Sequence, residues 1–300
     1  MSAATESGGA EGWTIAKVLS WATDDFKGRR IETARLDAEL LLSEALGLDR
    51  IRLIMDSRRP LTPAELGAFR ELIKRRRGGE PMAYILGRRE FFGLEFRVDR
   101  RVLIPRPDTE ALVEVALERT RAAYMFGNAL DLCTGSGCVA VAFAKQRPTW
   151  RVTATDISEP ALGLAFENAQ RLGTVFGMTF SAGDLFAALA AAERFDLITA
   201  NPPYVSAPEV LKLDRGIREF EPAVALGSGA DGLDLIRRIV TGAGAHLAPG
   251  GVLALEVQFD QADRVAELMQ SAGFTAIEKR RDLGGHERVV SACWPAAPAA

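Results

Sequence analysis

Residues 201–204, Asn-Pro-Pro-Tyr, follow directly on the apolar run 195–200, Phe-Asp-Leu-Ile-Thr-Ala. Two consecutive prolines remove two backbone donors and fix two φ angles, so a strand must stop there. What remains is a stiff corner with bare carbonyls, one amide side chain and one aromatic ring. Such a corner can hold a flat NH2 group: Asn201 Oδ1 and the Pro202 carbonyl accept its two hydrogens, and the Tyr204 ring lies against its π face. Pro203 keeps the corner rigid between them. So held, the nitrogen is aimed out of plane at an electrophilic methyl group, and acceptors that strengthen as positive charge grows on nitrogen supply the catalysis. No His or Cys nucleophile is needed, and the chain contains only two histidines, His246 and His286. A bare proline-rich turn is the bland alternative. Its place after a strand that should lie beside a ligand-binding loop weighs against it.

That loop is residues 131–138, Asp-Leu-Cys-Thr-Gly-Ser-Gly-Cys. Gly135, Gly137 and Ala140 satisfy G-x-G-x-x-G/A at a strand-to-helix turn, where glycines admit a ligand to the backbone and the helix N-terminus is electropositive. Asp156 ends the next strand, where an acid can bind both hydroxyls of an adenosine ribose. A tight turn plus a helix-capping Asp would explain each feature singly, but both occur in register. Nicotinamide, flavin and S-adenosylmethionine binders share this pattern, and only the 201–204 corner chooses among them, in favour of methyl transfer. Cys133 and Cys138 flank the glycines without metal-ligand spacing and read as small packed residues. No metal site is expected.

The elements that must position these residues are strands expected at 129–133, 151–155, 178–182, 195–200, 251–257, 276–281 and 288–292. Helical stretches separating the first six are the mark of a doubly wound α/β sheet. Residues 282–287 are too few for a parallel crossover, so the last two strands should pair antiparallel. The first 80 residues read as helices only. Trp13, Val18 and Trp21 or Ala22 fall near one face, Leu36, Leu40 and Leu46 share helical spacing before Gly47, and Thr62 with Glu65 makes a capping box behind Pro63. The basic run Lys74–Arg77 is expected to complement that helix's dipole on a solvated face. Residues 90–98 read as a hairpin around Gly93, and a helix should start from a cap at Asp108 or Thr109. The expected division is a helical domain over 1–80, a connection with a hairpin over 81–105, and the ligand-binding domain over 106–295.

With 48% hydrophobic and 26% charged residues over 300 positions, the chain has the balance of a globular protein with an ample core. No apolar run reaches membrane-spanning length, and the polar start lacks the pattern of a secretory signal. An odd count of three cysteines argues for a reducing, cytoplasmic setting, and a net charge of −3 gives no drive toward nucleic acid.

Taken together, residues 103–110 (LIPRPDTE), 131–137 (DLCTGSG), Asp156, 201–204 (NPPY) and 221–239 (EPAVALGSGADGLDLIRRI) resemble the peptide chain release factor glutamine N5-methyltransferases. The similarity spans essentially the whole chain, including residues 34–42 (ARLDAELLL) of the helical part. The resemblance implies a class I methyltransferase fold, S-adenosylmethionine as cofactor, and methylation of the glutamine in the Gly-Gly-Gln loop of bacterial release factors. It also implies a cofactor loop of Cys133, Thr134, Gly135, Ser136 and Gly137, a ribose acid at Asp156, and an adenine-side contact near Leu185. Asn201, which also borders the cofactor, Pro202, Pro203 and Tyr204 become the substrate clamp. Cys133 stands where these enzymes commonly have Gly, and Leu185 where many have Trp. The 132–138 stretch also resembles the sibling enzyme that methylates a ribosomal-protein glutamine, while 104–110 favours the release-factor branch. Adenine N6 and cytosine N4 are flat NH2 groups too, so a DNA amino-methyltransferase is the rival class; the acidic net charge and the lack of a basic target-recognition region stand against it. A non-catalytic module that kept the fold would be expected to lose the glycines, Asp156 or Asn201. The helical domain is left with recognition of the substrate protein as its expected task.

Overall fold

The structure is a computed structural model describing residues 12–123 and 125–296. The chain divides between Leu86 and Gly87 into two compact units.

The first unit is helical: α1 (Ile15–Gly28), α2 (Ala34–Leu46), α3 (Arg50–Met55), α4 (Pro63–Arg77) and α5 (Met82–Leu86). The expected terminators are present. Gly47 ends α2 in the left-handed region at φ 63, and Thr62 and Glu65 cap α4 reciprocally behind Pro63. The faces differ from expectation. In α1 the buried stripe is Ile15, Val18, Leu19, Ala22 and Phe26, whereas Trp13 and Trp21 are half exposed. In α2 it is Ala34, Ala38, Leu41 and Leu42, while Leu36 is exposed. Leucines ring α2, so spacing alone admits two stripes, and packing against α1 and α4 selects the one with small residues at the contact. The basic run is not simply solvated. Arg75 pairs with Glu80, Arg76 with Asp37 and Arg77 with Asp25, each at 2.8 Å, so these cations tie α4 to its own unit.

The second unit opens with a hairpin, β1 (Arg88–Phe91) and β2 (Leu94–Arg97), turning through Phe92 and Gly93, both left-handed. Residues 81–105 therefore do not stand apart as a connection. Helix α5 closes the first unit, and the hairpin buries Phe91 and Phe96 in one cluster with Leu112 and Val113 of the second. The elements that follow are α6 (Glu110–Arg119), β3 (Asn128–Leu132), α7 (Cys138–Gln146), β4 (Arg151–Asp156), α8 (Glu159–Leu172), β5 (Met178–Ala182), β6 (Phe195–Ala200), α9 (Ala207–Val210), α10 (Arg215–Phe220), α11 (Asp234–Ala243), β7 (Leu247–Glu256), α12 (Ala262–Ser271), β8 (Thr275–Arg281) and β9 (Glu287–Cys293).

Strands β3 to β9 form one seven-stranded sheet in the order β5-β4-β3-β6-β7-β9-β8, parallel except for β9, which runs antiparallel to both neighbours. Successive residues bury opposite faces. Leu130, Ile198 and Leu253 pack with Ile236, Ile239 and Val265 of α11 and α12, while Ala129, Leu197 and Val252 pack with Phe143 and Trp150. One connection departs from the helical expectation: residues 183–194 hold only a 3₁₀ turn, Leu185–Ala188. They must step back across three strand spacings, roughly 14 Å, and return a strand's length, roughly 17–20 Å. At about 1.5 Å per residue an α-helix of this stretch would reach only about 18 Å. The order reverses between β3 and β6, and a doubly wound sheet opens a crevice at such a point, beyond its carboxyl ends.

Candidate active site

Beyond the end of β3 the chain turns sharply: Cys133, Gly135 and Gly137 take φ of 56°, 54° and 77°. The turn is held by backbone bonds, Thr134 N–H to the Thr155 carbonyl at 3.0 Å and Gly137 N–H to the Thr134 carbonyl at 2.8 Å. Asp156, at the end of β4, accepts from Gly135 N–H on one oxygen and from Ser158 N–H on the other, both at 2.9 Å. Burial raises its pKa, opposed by those N–H groups. Its remaining lone pairs border a cleft of about 330 Å³. Cys133, Thr134, Gly135, Ser136, Asp156, Leu185 and Asn201 all line that cleft. Gly137 does not. It sits against α8, where a Cβ would come within 3.0 Å of the Ala165 Cβ, so its glycine answers to packing as well as to φ. Leu185, like Cys133, is a left-handed non-glycine, at φ 53.

The 201–204 corner stands beside this loop because β6 is hydrogen-bonded to β3 in parallel register. Asn201 Nδ2 donates to Thr109 Oγ1 at 3.2 Å, which leaves Oδ1 as the amide's free acceptor. Residues 107–109 form a 3₁₀ turn without side-chain caps, so Thr109 serves Asn201 rather than a helix end. The Tyr204 hydroxyl donates to Glu256 Oε1 at 3.1 Å, and the Tyr204 carbonyl accepts from Gln261 Nε2 at 3.0 Å. Burial beside Glu256 pushes the phenol pKa up, so the hydroxyl keeps its proton. Asn201, Pro202, Pro203 and Tyr204 line a second cleft of about 450 Å³. Asn201 and Pro203 belong to the walls of both.

Residues 17–87 match the PrmC N-terminal domain family and residues 107–214 the methyltransferase small domain family. A release factor glutamine methyltransferase of Geobacter sulfurreducens is 45% identical over 278 residues, covering 93% of this chain and 96% of that protein. One of Bordetella pertussis is 46% identical over 257 residues, 85% and 93% of the two chains. The chain belongs to the release factor glutamine methyltransferase family. The catalytic domain of hMettl16, solved in complex with the MAT2A 3'UTR hairpin 6, shares the fold alone, with a TM-score of 0.54 and 14% identity over 73% of this chain and 81% of that one.

The cofactor of this methyltransferase is S-adenosylmethionine, and the cleft lined by the 133–136 loop and Asp156 fits it. A Cβ at Gly135 would meet no protein atom within 4 Å, so the loop backbone is open to a ligand there, with the Asp156 carboxylate alongside. Three features of the site escaped the sequence reading. Asp131, 2% exposed in β3, accepts from Thr134 Oγ1 at 2.6 Å and Thr199 Oγ1 at 2.7 Å, and burial pushes its pKa up to about 6 against those bonds. Glu221 accepts from Arg106 Nη2 at 2.6 Å and from Ile104 N–H at 3.2 Å, joining two segments of the cleft wall. Glu256 ends β7 behind Tyr204. For Asp131 and Glu256 the signal was available: an acid inside an apolar strand run must find partners when buried. Among the described residues no helix is long and apolar enough to cross a membrane, and no cluster of His, Cys, Asp or Glu could hold a metal ion.

Proposed function

We propose that this enzyme methylates the side-chain amide nitrogen of the glutamine in the Gly-Gly-Gln loop of peptide chain release factors, in the cytoplasm. S-adenosylmethionine, when bound, supplies an electrophilic methyl group. The chain's own residues hold and aim the amide. Asp156 accepts from the cofactor's ribose hydroxyls, the 133–137 loop accommodates it against backbone, and Leu185 flanks its adenine side. Asn201 Oδ1 and the Pro202 carbonyl accept the two amide hydrogens, and the Tyr204 ring supports the amide plane. As methylation proceeds nitrogen becomes more positive, and both acceptors bind its hydrogens more tightly, which is stabilisation selective for the transition state. Either carbonyl then faces a nitrogen whose spare proton is readily lost to water.

The observation that carries this reading is the shared wall: Asn201 and Pro203 border both cavities, so an NH2 group held in one faces the contents of the other. The residues that line both cavities belong to the second unit, and we assign the helical unit recognition of the intact substrate protein. The test is methyl transfer from labelled S-adenosylmethionine to purified release factor, to the ribosomal protein methylated by the sibling enzymes, and to DNA, using the full chain and a chain beginning at Gly87. Label on the release factor glutamine is expected, with the shortened chain much weaker on the intact protein than on a short glutamine peptide. Label on the ribosomal protein or DNA alone would overturn the substrate. Equal activity of the two chains on intact protein would overturn the role of the helical unit.

A further inference from the structure

Glu256 lines neither cavity, yet both arms of the clamp lead to it. Sheet register pairs Ala200 with Leu255, so Glu256 lies level with the start of the 201–204 corner. Its side chain is 1% exposed. Oε1 accepts from the Tyr204 hydroxyl at 3.1 Å, while Oε2 is buried with no partner of good geometry. The Thr109 hydroxyl, itself only 2% exposed, faces the same carboxylate and lowers its pKa. On its other side Thr109 Oγ1 accepts from Asn201 Nδ2. The fold has little use for this acid. Burying a carboxylate whose second oxygen has only the Thr109 hydroxyl to turn to is costly, and an apolar residue would serve the end of a central strand better.

The polarity of the chain of bonds matters more than its presence. A threonine hydroxyl has one proton. If that proton goes to Glu256, Thr109 can offer Asn201 only a lone pair, so Asn201 must turn its NH2 toward Thr109 and its Oδ1 outward. If the proton went to Asn201 instead, Asn201 would present NH2 to a substrate NH2, donor against donor. We infer that Glu256 is the positioning residue of the clamp: by claiming the Thr109 proton it sets which way the Asn201 amide faces, and by accepting from Tyr204 it fixes the ring. This rests on the amide-methylating reading above. The ionised carboxylate, which can only accept, enforces the polarity; a protonated acid can donate to Thr109 and release it. Burial pushes the Glu256 pKa up to about 7, with Thr109, Tyr204 and Arg288 pulling it down and Asp108 pushing it up. Those groups, with Cys138 at the start of α7, are the titratable and charged neighbours that face it.

Glu256→Gln is the decisive variant, because it keeps size and the acceptor for Tyr204 while gaining a donor toward Thr109. Cofactor affinity should stay within about twofold and turnover should fall about tenfold, the effect of one misdirected hydrogen bond. Wild-type turnover should decline as pH drops through about 7, and the variant's profile should lack that limb. Thr109→Val should lose a similar factor, Thr109→Ser should restore it, and the Glu256→Gln/Thr109→Val pair should lose no more than either alone. The amide's orientation is also readable without any substrate: in protein labelled with ¹⁵N-asparagine, the Asn201 NH2 signals should move in Glu256→Gln. Unchanged turnover and pH profile in Glu256→Gln, or unmoved Asn201 signals, would overturn the inference. A wild-type enzyme inactive on every amide offered would overturn the reaction instead, and the Asn201 signals would still decide the role of Glu256.

Discussion

The loop after β3 and the corner after β6 sit on adjacent parallel strands, yet they are built by opposite means. The 133–137 loop is shaped by backbone: three left-handed residues, two backbone bonds to fixed carbonyls, and a carboxylate clasping the Gly135 N–H. The 201–204 corner is shaped by side chains: Asn201 on Thr109, Tyr204 on Glu256, with Gln261 holding the Tyr204 carbonyl. A ligand met through backbone shape is insensitive to which side chains carry that shape. A group met through an amide and a ring depends on the identity of each. The two regions should therefore fail differently when altered, the corner in turnover and the loop in affinity or stability.

The largest effect is expected at the corner. Asn201→Ala deletes the acceptor proposed for the substrate amide and touches none of the loop's bonds. Turnover should fall by roughly 10²-fold or more, the scale for removing one hydrogen-bonding group that serves the transition state. Cofactor affinity, measured by calorimetry, should move far less. Near-normal turnover would erase the contrast between the two regions.

Next in size is the carboxylate that clasps the Gly135 N–H of the loop. Asp156→Ala should weaken S-adenosylmethionine binding by about 1.5–3 kcal/mol, the range for hydrogen bonds to a charged group. Part of that loss is indirect, since the Gly135 and Ser158 N–H groups lose their acceptor. Asp156→Asn, which keeps an acceptor, should lose less. Turnover at saturating cofactor should stay within a few-fold of wild type, and unchanged affinity would remove Asp156 from the cofactor's contacts.

Much of this was legible from residue order. All seven strands of the sheet, the hairpin around Gly93 and the capping box at Thr62 follow from local pattern, and the place of Asn201 beside the glycine loop follows from the usual strand order of a doubly wound sheet. Local pattern does not carry lateral order. That β9 inserts between β7 and β8 is a fact of pairing between distant segments. It does not carry partners either. Thr109 meets Asn201 across 92 positions and Asp131 meets Thr199 across 68, and neither pair has a periodicity to betray it. The same limit explains the misplaced stripes of α1 and α2, where several faces are apolar and the neighbour decides. Residues 183–194 failed for a different reason: their composition suits a helix, but the span they must cross does not.

Glycine substitutions sharpen the account of the loop. Gly137→Ala places a methyl 3.0 Å from the Ala165 Cβ and 3.3 Å from its Cα, at a φ of 77. The combined strain should cost about 1–3 kcal/mol of stability, visible as a lower urea midpoint. Activity per folded molecule should be largely kept, because Gly137 is not on the cleft wall. Gly135→Ala meets only open space and should cost about 1–2 kcal/mol for its left-handed backbone. Its methyl would instead occupy ligand space and weaken cofactor binding. Equal effects of the two on affinity would mean that both face the ligand.

The smallest effect is expected at Cys133, and it is the strictest test of backbone against side chain. Cys133 holds a left-handed φ of 56, which costs an L-residue about 1–2 kcal/mol. Cys133→Gly removes that strain but makes the unfolded chain freer by about 0.5–1 kcal/mol and withdraws a half-buried side chain from the core around Leu132 and Leu185. These contributions oppose one another and leave a net change of about 1 kcal/mol or less. The thiol offers no chemistry to lose, since burial and the nearby carboxylates of Asp156 and Asp131 push its pKa up and keep it protonated. Cofactor affinity should accordingly stay within about threefold of wild type, below the effect of one ordinary hydrogen bond. Cys133→Val supplies the counterpart: a β-branched residue fits the left-handed region worst, so this variant should be destabilised by about 1 kcal/mol or more relative to wild type. If Cys133→Gly instead lost tenfold or more in cofactor affinity while remaining folded, the sulfur would be a ligand contact, and the loop could no longer be described as recognising its ligand through backbone shape.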